Sequence, residues 1–137
     1  MVLLSFIFLA LAIPWLGDTG AYFAGRAFGR HKLYELISPK KTIEGYVGGV
    51  ITATIGVFVI RSLGLPALGV IDCLVIGVII GTAAVLGDLA ESLLKRAFGV
   101  KDSGRIMPGH GGLLDRIDSL LFVLPLLYGY AHWVMVR

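Results

Sequence analysis

The sequence predicts an all-α, polytopic integral membrane protein of about four transmembrane helices, joined by two charged cytoplasmic loops. Three observations carry this. Of 137 residues, 57% are hydrophobic and 15% charged, with a mean hydropathy of +0.89, a balance outside the soluble globular range. Four apolar segments are each long enough, with help from flanking residues, to cross a hydrocarbon core of about 30 Å as a helix. The ionisable residues gather between those segments rather than within them.

The first segment, "MVLLSFIFLALAIPWL" (residues 1–16), has no basic n-region and no small-residue cleavage site. It therefore reads as a true span rather than a signal peptide. Its abrupt start reads as the C-terminal part of a longer architecture, and residues 1–137 are taken as one membrane-embedded unit. The second and third spans, "GYVGGVITATIGVFVI" (45–60) and "VIDCLVIGVIIGTAAVLG" (70–87), are rich in glycine and other small residues, which let membrane helices approach closely. "GLPALG" (64–69) is a short turn between them. The fourth, "SLLFVLPLLYGYAHWVMV" (119–136), ends in Tyr128, Tyr130, His132 and Trp133, an interfacial anchor. The single Cys73 lies within a span and reads as a buried apolar residue.

Charge sets the orientation. Arg26, Arg30, Lys32, Lys40 and Lys41 fall in one loop and Lys95, Arg96, Lys101, Arg105 and Arg116 in another, ten of the twelve basic residues. Two crossings separate these loops, so both lie on one side, which the positive-inside rule assigns to the cytoplasm. Both termini are then outside. The same confinement argues against nucleic-acid binding as the reason for the basic pI.

The third span ends in a polar stripe: Glu91, Ser92 and Lys95 follow Asp88 at i+3, i+4 and i+7 on a continuing helix. The plain reading is a solvated helix end with a Glu91–Lys95 ion pair. The functional reading rests on the cost of an ionisable group at membrane depth. "GVKDSGRIMPGHGG" (99–112) then supplies a glycine-rich loop bearing Lys101, Asp102, Arg105 and His110. His110 serves either as a phosphate or proton partner or as a hydrogen-bonding strut. Gly111 and Gly112 lead into a helix on which Asp115, Asp118 and Ser119 share one face opposite Leu113 and Ile117. The positive end of that helix makes an anion site.

In the earlier loop Asp18, Thr19 and Tyr22 share a helical face, and "SPKKTIEG" (38–45) follows. Pro39 holds the backbone extended and Thr42 is placed to cap the next helix. Lys40 and Lys41 meet either phosphate or lipid head groups, and His31 reads as a solvated loop residue. "GDTGAYFAGRAFG" (17–29) and "GDLAESLLKRAFG" (87–99) resemble one another, which puts Asp18 and Asp88 at similar depth. Paired carboxylates suit Mg²⁺, which binds through one or two of them plus substrate phosphates. With the nearby Lys and Arg they point to phosphoryl or nucleotidyl transfer at the membrane interface.

The run "SLLKRAFGVKDSGRIMPGHGGLLDRID" (92–118) resembles the signature of the phosphatidate cytidylyltransferases, the CDP-diacylglycerol synthases: S-x-x-K-R-x-x-x-x-K-D-x-G-x-x-x-P-x-H-G-G-x-x-D-R-x-D. Every fixed position is filled, and residues 17–45 resemble the family's other marked region. Members of that family are usually about twice this length, with further N-terminal spans.

The resemblance implies transfer of CMP from CTP to phosphatidate, giving CDP-diacylglycerol and pyrophosphate, with Mg²⁺ alone or Mg²⁺ and a second cation. It implies metal ligation by Asp88 and Asp115, a homodimer, and a site facing the cytoplasm from the inner membrane. Asp102 and Asp118 are then a further ligand or orienting group. Lys95, Arg96, Lys101, Arg105 and Arg116 form a phosphate-binding set, joined by Ser92, His110, Gly111 and Gly112. Asp18, Lys40 and Lys41 contribute from the other loop.

Three rivals stand beside this reading. One is a cytidylyltransferase for another lipid phosphate, such as an archaeal ether lipid. Another is a transporter or ion pathway, whose charges belong in mid-span. The third is a non-catalytic piece of a larger enzyme.

Overall fold

The computed structural model describes the backbone of residues 2–66, 68–100 and 114–135, and the side chains of 4–66, 68–100 and 117–133. Its helices are α1 (Val2–Phe28), α2 (Ile43–Gly64), α3 (Val70–Val75), α4 (Gly81–Ala97) and α5 (Leu114–Met135). A π-helical turn, Ile76–Ile80, joins α3 to α4 without a break. Among the described residues Leu4–Phe28, Ile43–Gly64 and Val70–Ala97 are long and apolar enough to cross a membrane. Helix α5 runs 22 residues through the fourth predicted span. The fold is the all-α membrane bundle expected from composition.

Helix ends assort by chemistry. Ser5, near the start of α1, donates to the Gly64 carbonyl at the end of α2 (3.4 Å). Tyr130, late in α5, donates to the Asp72 carboxylate at the start of α3. These termini share one end of the bundle, where Tyr128 and His132 stack with ring centroids 6.4 Å apart. Asp72, the one acid in the third span's apolar run, also accepts from the Gly69 amide at 2.7 Å. It is a helix cap, not a mid-span charge.

Large aliphatic side chains point outward: Leu63 is 81% exposed, Ile71 75% and Ile55 57%. The interior holds Leu9, Ile13, Ala53, Val57, Cys73, Ile76, Ile80 and Val123. Cys73 is buried, as its position predicts. In lipid this distribution needs no polar exterior, because outward aliphatic surface meets acyl chains.

Helices α1 and α2 meet along glycines. A Cβ at Gly49 would lie 2.7 Å from the Gly17 carbonyl oxygen, one at Gly45 2.9 Å from that of Ala21, and one at Gly48 2.3 Å from the Ala24 Cβ. Helices α4 and α5 make a similar approach, since a Cβ at Gly87 would lie 3.0 Å from the Asp118 carbonyl oxygen. Only hydrogen at these positions lets the backbones come so near.

Between α1 and α2 the chain forms a small antiparallel hairpin, β1 (Lys32–Tyr34) and β2 (Ser38–Thr42), with Lys32 paired to Thr42 and Tyr34 to Ser38. This hairpin is an addition to the expected helices. Pro39 is extended as predicted and sits in a strand with no further neighbour, where its missing N–H costs no ladder bond. Thr42 caps α2, its hydroxyl accepting from the Gly45 amide at 3.1 Å, a contact worth about 1 kcal/mol.

Glu44 in the first turn of α2 fastens the open end of the hairpin, where β1 begins. Its carboxylate accepts from the Arg30 amide (3.1 Å) and the His31 amide (3.3 Å) and lies 2.6 Å from His31 Nδ1. His31 is thus exposed but tethered rather than simply solvated.

Gly49→Ala should force α1 and α2 apart at a cost of about 1–3 kcal/mol, read as a lower thermal midpoint in detergent. Gly129→Ala, where a Cβ meets nothing within 4 Å, should leave that midpoint unchanged or raise it. Glu44→Ala should release the hairpin, so amide exchange at Arg30 and His31 should accelerate while that of α2 beyond its first turn stays protected.

Candidate functional site

At the charged end of the bundle α1, the hairpin, α2 and α4 enclose a cavity of about 540 Å³. Its lining is apolar at Ala21, Leu33, Gly45 and Val85, and its charged rim is Asp18, Arg26, Lys40, Lys41 and Asp88. Each rim residue reaches there for a structural reason. Helix α1 continues past its apolar run to Phe28, which carries Asp18 and Tyr22 to one face a turn apart. The hairpin folds back over that face and delivers Lys40 and Lys41. The α3–π–α4 rod continues to Ala97 and places Asp88 opposite them.

Lys41 Nζ forms an ion pair with Asp88 Oδ2, linking β2 to α4 across 47 residues of sequence. Asp18 interacts electrostatically with both, and with Asp118. Arg26 donates to the Tyr22 hydroxyl at 3.0 Å, which steadies a guanidinium at the cavity mouth. Tyr46, also in the lining, shares a hydrogen bond of 2.9 Å with Thr82 that ties α2 to α4.

Asp88 also belongs to a second grouping. One carboxylate oxygen each from Asp88, Glu91 and Asp118 lies within 4.8 Å of the others. Glu91 is 5% exposed and lies 3.4 Å from Lys95 Nζ. The Asp118 carboxylate accepts from the Ser119 amide at 2.6 Å. Helix α5 turns its acidic face inward, with Ser119 buried and Leu121 51% exposed. The close approach at Gly87 brings that face against α4. Three hard oxygen donors so close together suit a small divalent cation, and the Lys41 ammonium already sits against one of them.

The structure therefore gathers Asp18, Lys40, Lys41 and Asp88 around one cavity, and Asp88 and Asp118 in one acidic cluster. Ser92 is half-buried one turn beyond Asp88, and Lys95 pairs with Glu91. Arg96 is exposed near the end of α4 and lines no described cavity. Lys101, Asp102, Arg105, His110, Gly111 and Gly112 lie outside the described residues, as do the side chains of Asp115 and Arg116. Asp115 is on α5 one turn before Asp118.

Sequence reasoning gave Glu91 only an ion-pair role, although its i+3 spacing from Asp88 was the signal for the cluster. Arg26, Ser38 and Tyr46 were not singled out for the site. Nothing in their spacing shows that a hairpin folds over α1.

Comparisons with known proteins identify the family. The model of the cytidylyltransferase family matches residues 3–134. The chain is 53% identical over 129 residues to phosphatidate cytidylyltransferase of Staphylococcus saprophyticus, covering 90% of this chain and 48% of that protein. It is 46% identical over 125 residues to the Bacillus subtilis protein of the same name, covering 91% and 46%. The chain thus spans about half the length of the curated relatives it matches. Among solved structures, one described as an intramembrane enzyme for archaeal membrane lipids biosynthesis superposes with a TM-score of 0.66 at 23% identity, covering 90% of this chain and 76% of that one. That likeness is one of fold. With its signature residues filled and nearly its whole length matched, the chain belongs to the cytidylyltransferase family.

Proposed function

We propose that the chain carries the catalytic region of a phosphatidate cytidylyltransferase, which moves CMP from CTP to phosphatidate and releases pyrophosphate. The observation that carries this reading is the double position of Asp88. Its carboxylate faces a cation-rimmed cavity at the end of the membrane bundle, and it belongs to an acidic cluster with Glu91 and Asp118. The names of the relatives supply the substrates.

In this reaction an oxygen of the lipid phosphate attacks the α-phosphorus of CTP in line. A P–O bond forms to the lipid while the bond from the α-phosphorus to the bridging oxygen of the pyrophosphate breaks, and pyrophosphate leaves with the electron pair. No side-chain nucleophile is required, so the protein's work is binding, orientation and charge stabilisation.

Arg26, Lys40 and Lys41 hold phosphate oxygens at the cavity rim. Ser92, Lys95, Arg96, Lys101, Arg105, His110 and Arg116, with the Gly111–Gly112 backbone, supply the remaining contacts in this proposal. Asp88, Glu91 and Asp118, joined by Asp115 from the signature, are the residues proposed to hold Mg²⁺. When bound there, that cation neutralises charge that develops on the departing pyrophosphate. Asp18 and Asp102 orient the basic residues. The apolar part of the cavity lining and outward aliphatic faces keep the lipid's acyl chains in the bilayer.

The gathering of ten of the twelve basic residues in two loops of the sequence supports a site on the cytoplasmic side. A homodimer belongs to the same proposal.

Purified chain in detergent, given CTP, phosphatidate and Mg²⁺, should form CDP-diacylglycerol and pyrophosphate. Asp88→Asn, Asp115→Asn and Asp118→Asn should each lower the rate on the order of 100-fold or more while leaving the thermal midpoint near that of wild type. Full activity in any of them would remove that acid from the metal set. Faster turnover of an archaeal-type ether lipid phosphate than of phosphatidate would instead reassign the lipid substrate.

A further inference from the structure

We propose that Lys41 competes with the divalent cation for Asp88, and that cation binding hands its ammonium to a substrate phosphate. The proposal rests on the reading of Asp88, Glu91 and Asp118 as the cation site and adds a regulatory step to it.

The geometry carries the competition. Lys41 Nζ is paired with Asp88 Oδ2, and Asp88 offers a ligand atom to the cluster. An ammonium in contact with that carboxylate opposes a cation arriving at the same group. Both side chains are only partly exposed, 27% and 30%, so the pair is shielded less completely by water than a surface pair. The other basic partner, Lys95, lies against Glu91, so the two ammonium groups are set against different carboxylates. Loading a divalent cation at Asp88 therefore displaces Lys41 from that carboxylate.

The released ammonium has a defined destination. Lys41 is fixed at its backbone by β2, one residue before the Thr42 cap of α2. Its side chain already lines the cavity shared with Arg26 and Lys40. Freed from Asp88, it joins those two cations facing the cavity and raises its affinity for an anion. Without the cation, one of the three rim charges is held by a carboxylate. Phosphate binding is therefore weak until the cation is in place, which favours cation-first loading.

Two measurements on the whole chain in detergent test this. The first reads the acetylation rate of individual lysines by mass spectrometry. Adding Mg²⁺ should raise the rate at Lys41 relative to Lys32, and adding inorganic phosphate with Mg²⁺ should lower it again. An unchanged Lys41 rate with Mg²⁺ bound overturns the proposal. The second reads Mn²⁺ affinity from the electron paramagnetic resonance of free Mn²⁺. Lys41→Met and Lys41→Gln should bind Mn²⁺ about three- to tenfold tighter than wild type. Lys32→Met, whose ammonium donates to the Pro39 carbonyl at 2.6 Å, should shift affinity less than either. Equal or weaker Mn²⁺ binding in both Lys41 variants, with folding retained, overturns the competition. Wild-type Mn²⁺ binding that survives in Asp88→Asn instead overturns the cation-site reading, and the proposal falls with it.

Discussion

Close approach of helix backbones is the constraint on which this structure depends. Asp18, Lys41, Asp88 and Asp118 are borne by three helices and a hairpin, and they could not meet if side chains stood between the rods. Gly45, Gly48 and Gly49 bring α2 against α1, and Gly87 brings α4 against α5. The first contact sets Asp18 beneath the hairpin that carries Lys41. The second sets Asp118 beside Asp88 and Glu91. In lipid, where apolar burial gives helices little reason to associate, such contacts also supply much of the cohesion through van der Waals packing.

Once the backbones are close, electrostatics determines what the gathered side chains can do. Four acids near one another, Asp18, Asp88, Glu91 and Asp118, repel, and their charge is costly at the edge of a low-dielectric bundle. Lys41 and Lys95 offset part of that cost through Asp88 and Glu91. This compensation is not permanent in the way a core ion pair would be. The Lys41–Asp88 pair borders a cavity large enough to admit a ligand, so a cation or phosphate entering there can take over either half of it.

Much of this was legible in the sequence because charge at membrane depth is costly and therefore conspicuous. Asp88 stood out at the end of an apolar run, and its stripe with Glu91 and Lys95 follows from helical periodicity alone. Thr42 as a cap and Pro39 as extended backbone were readable because each acts through its own local geometry. The hairpin over α1 was not readable. Its strands are three and five residues long, and its position depends on Glu44 reaching back to the Arg30 and His31 amides. The π turn at Ile76–Ile80 was equally hidden, although it adds a residue to one turn and rotates everything after it by about 100°. That rotation bears on which face of α4 carries Asp88 toward the cavity.

The placement of the acids also separates interfacial chemistry from ion transport. A conduction path through a bundle needs polar groups along its length, and the buried cluster of Leu9, Ile13, Val57, Ile76 and Val123 supplies none. Asp72, the only acid among the apolar residues of the third span, is engaged by the Gly69 amide and the Tyr130 hydroxyl at the opposite end from the cavity. Asp18, Asp88, Glu91 and Asp118 stand together at the other end. A proton or metal ion crossing the bundle would need a polar relay through the apolar layer between those two ends. The lipid phosphate of the proposed reaction needs none, because its acyl chains would remain in the bilayer while its head group meets the charged cavity. On that proposal the bundle's task is to fix the height at which the head group and a water-soluble nucleotide meet.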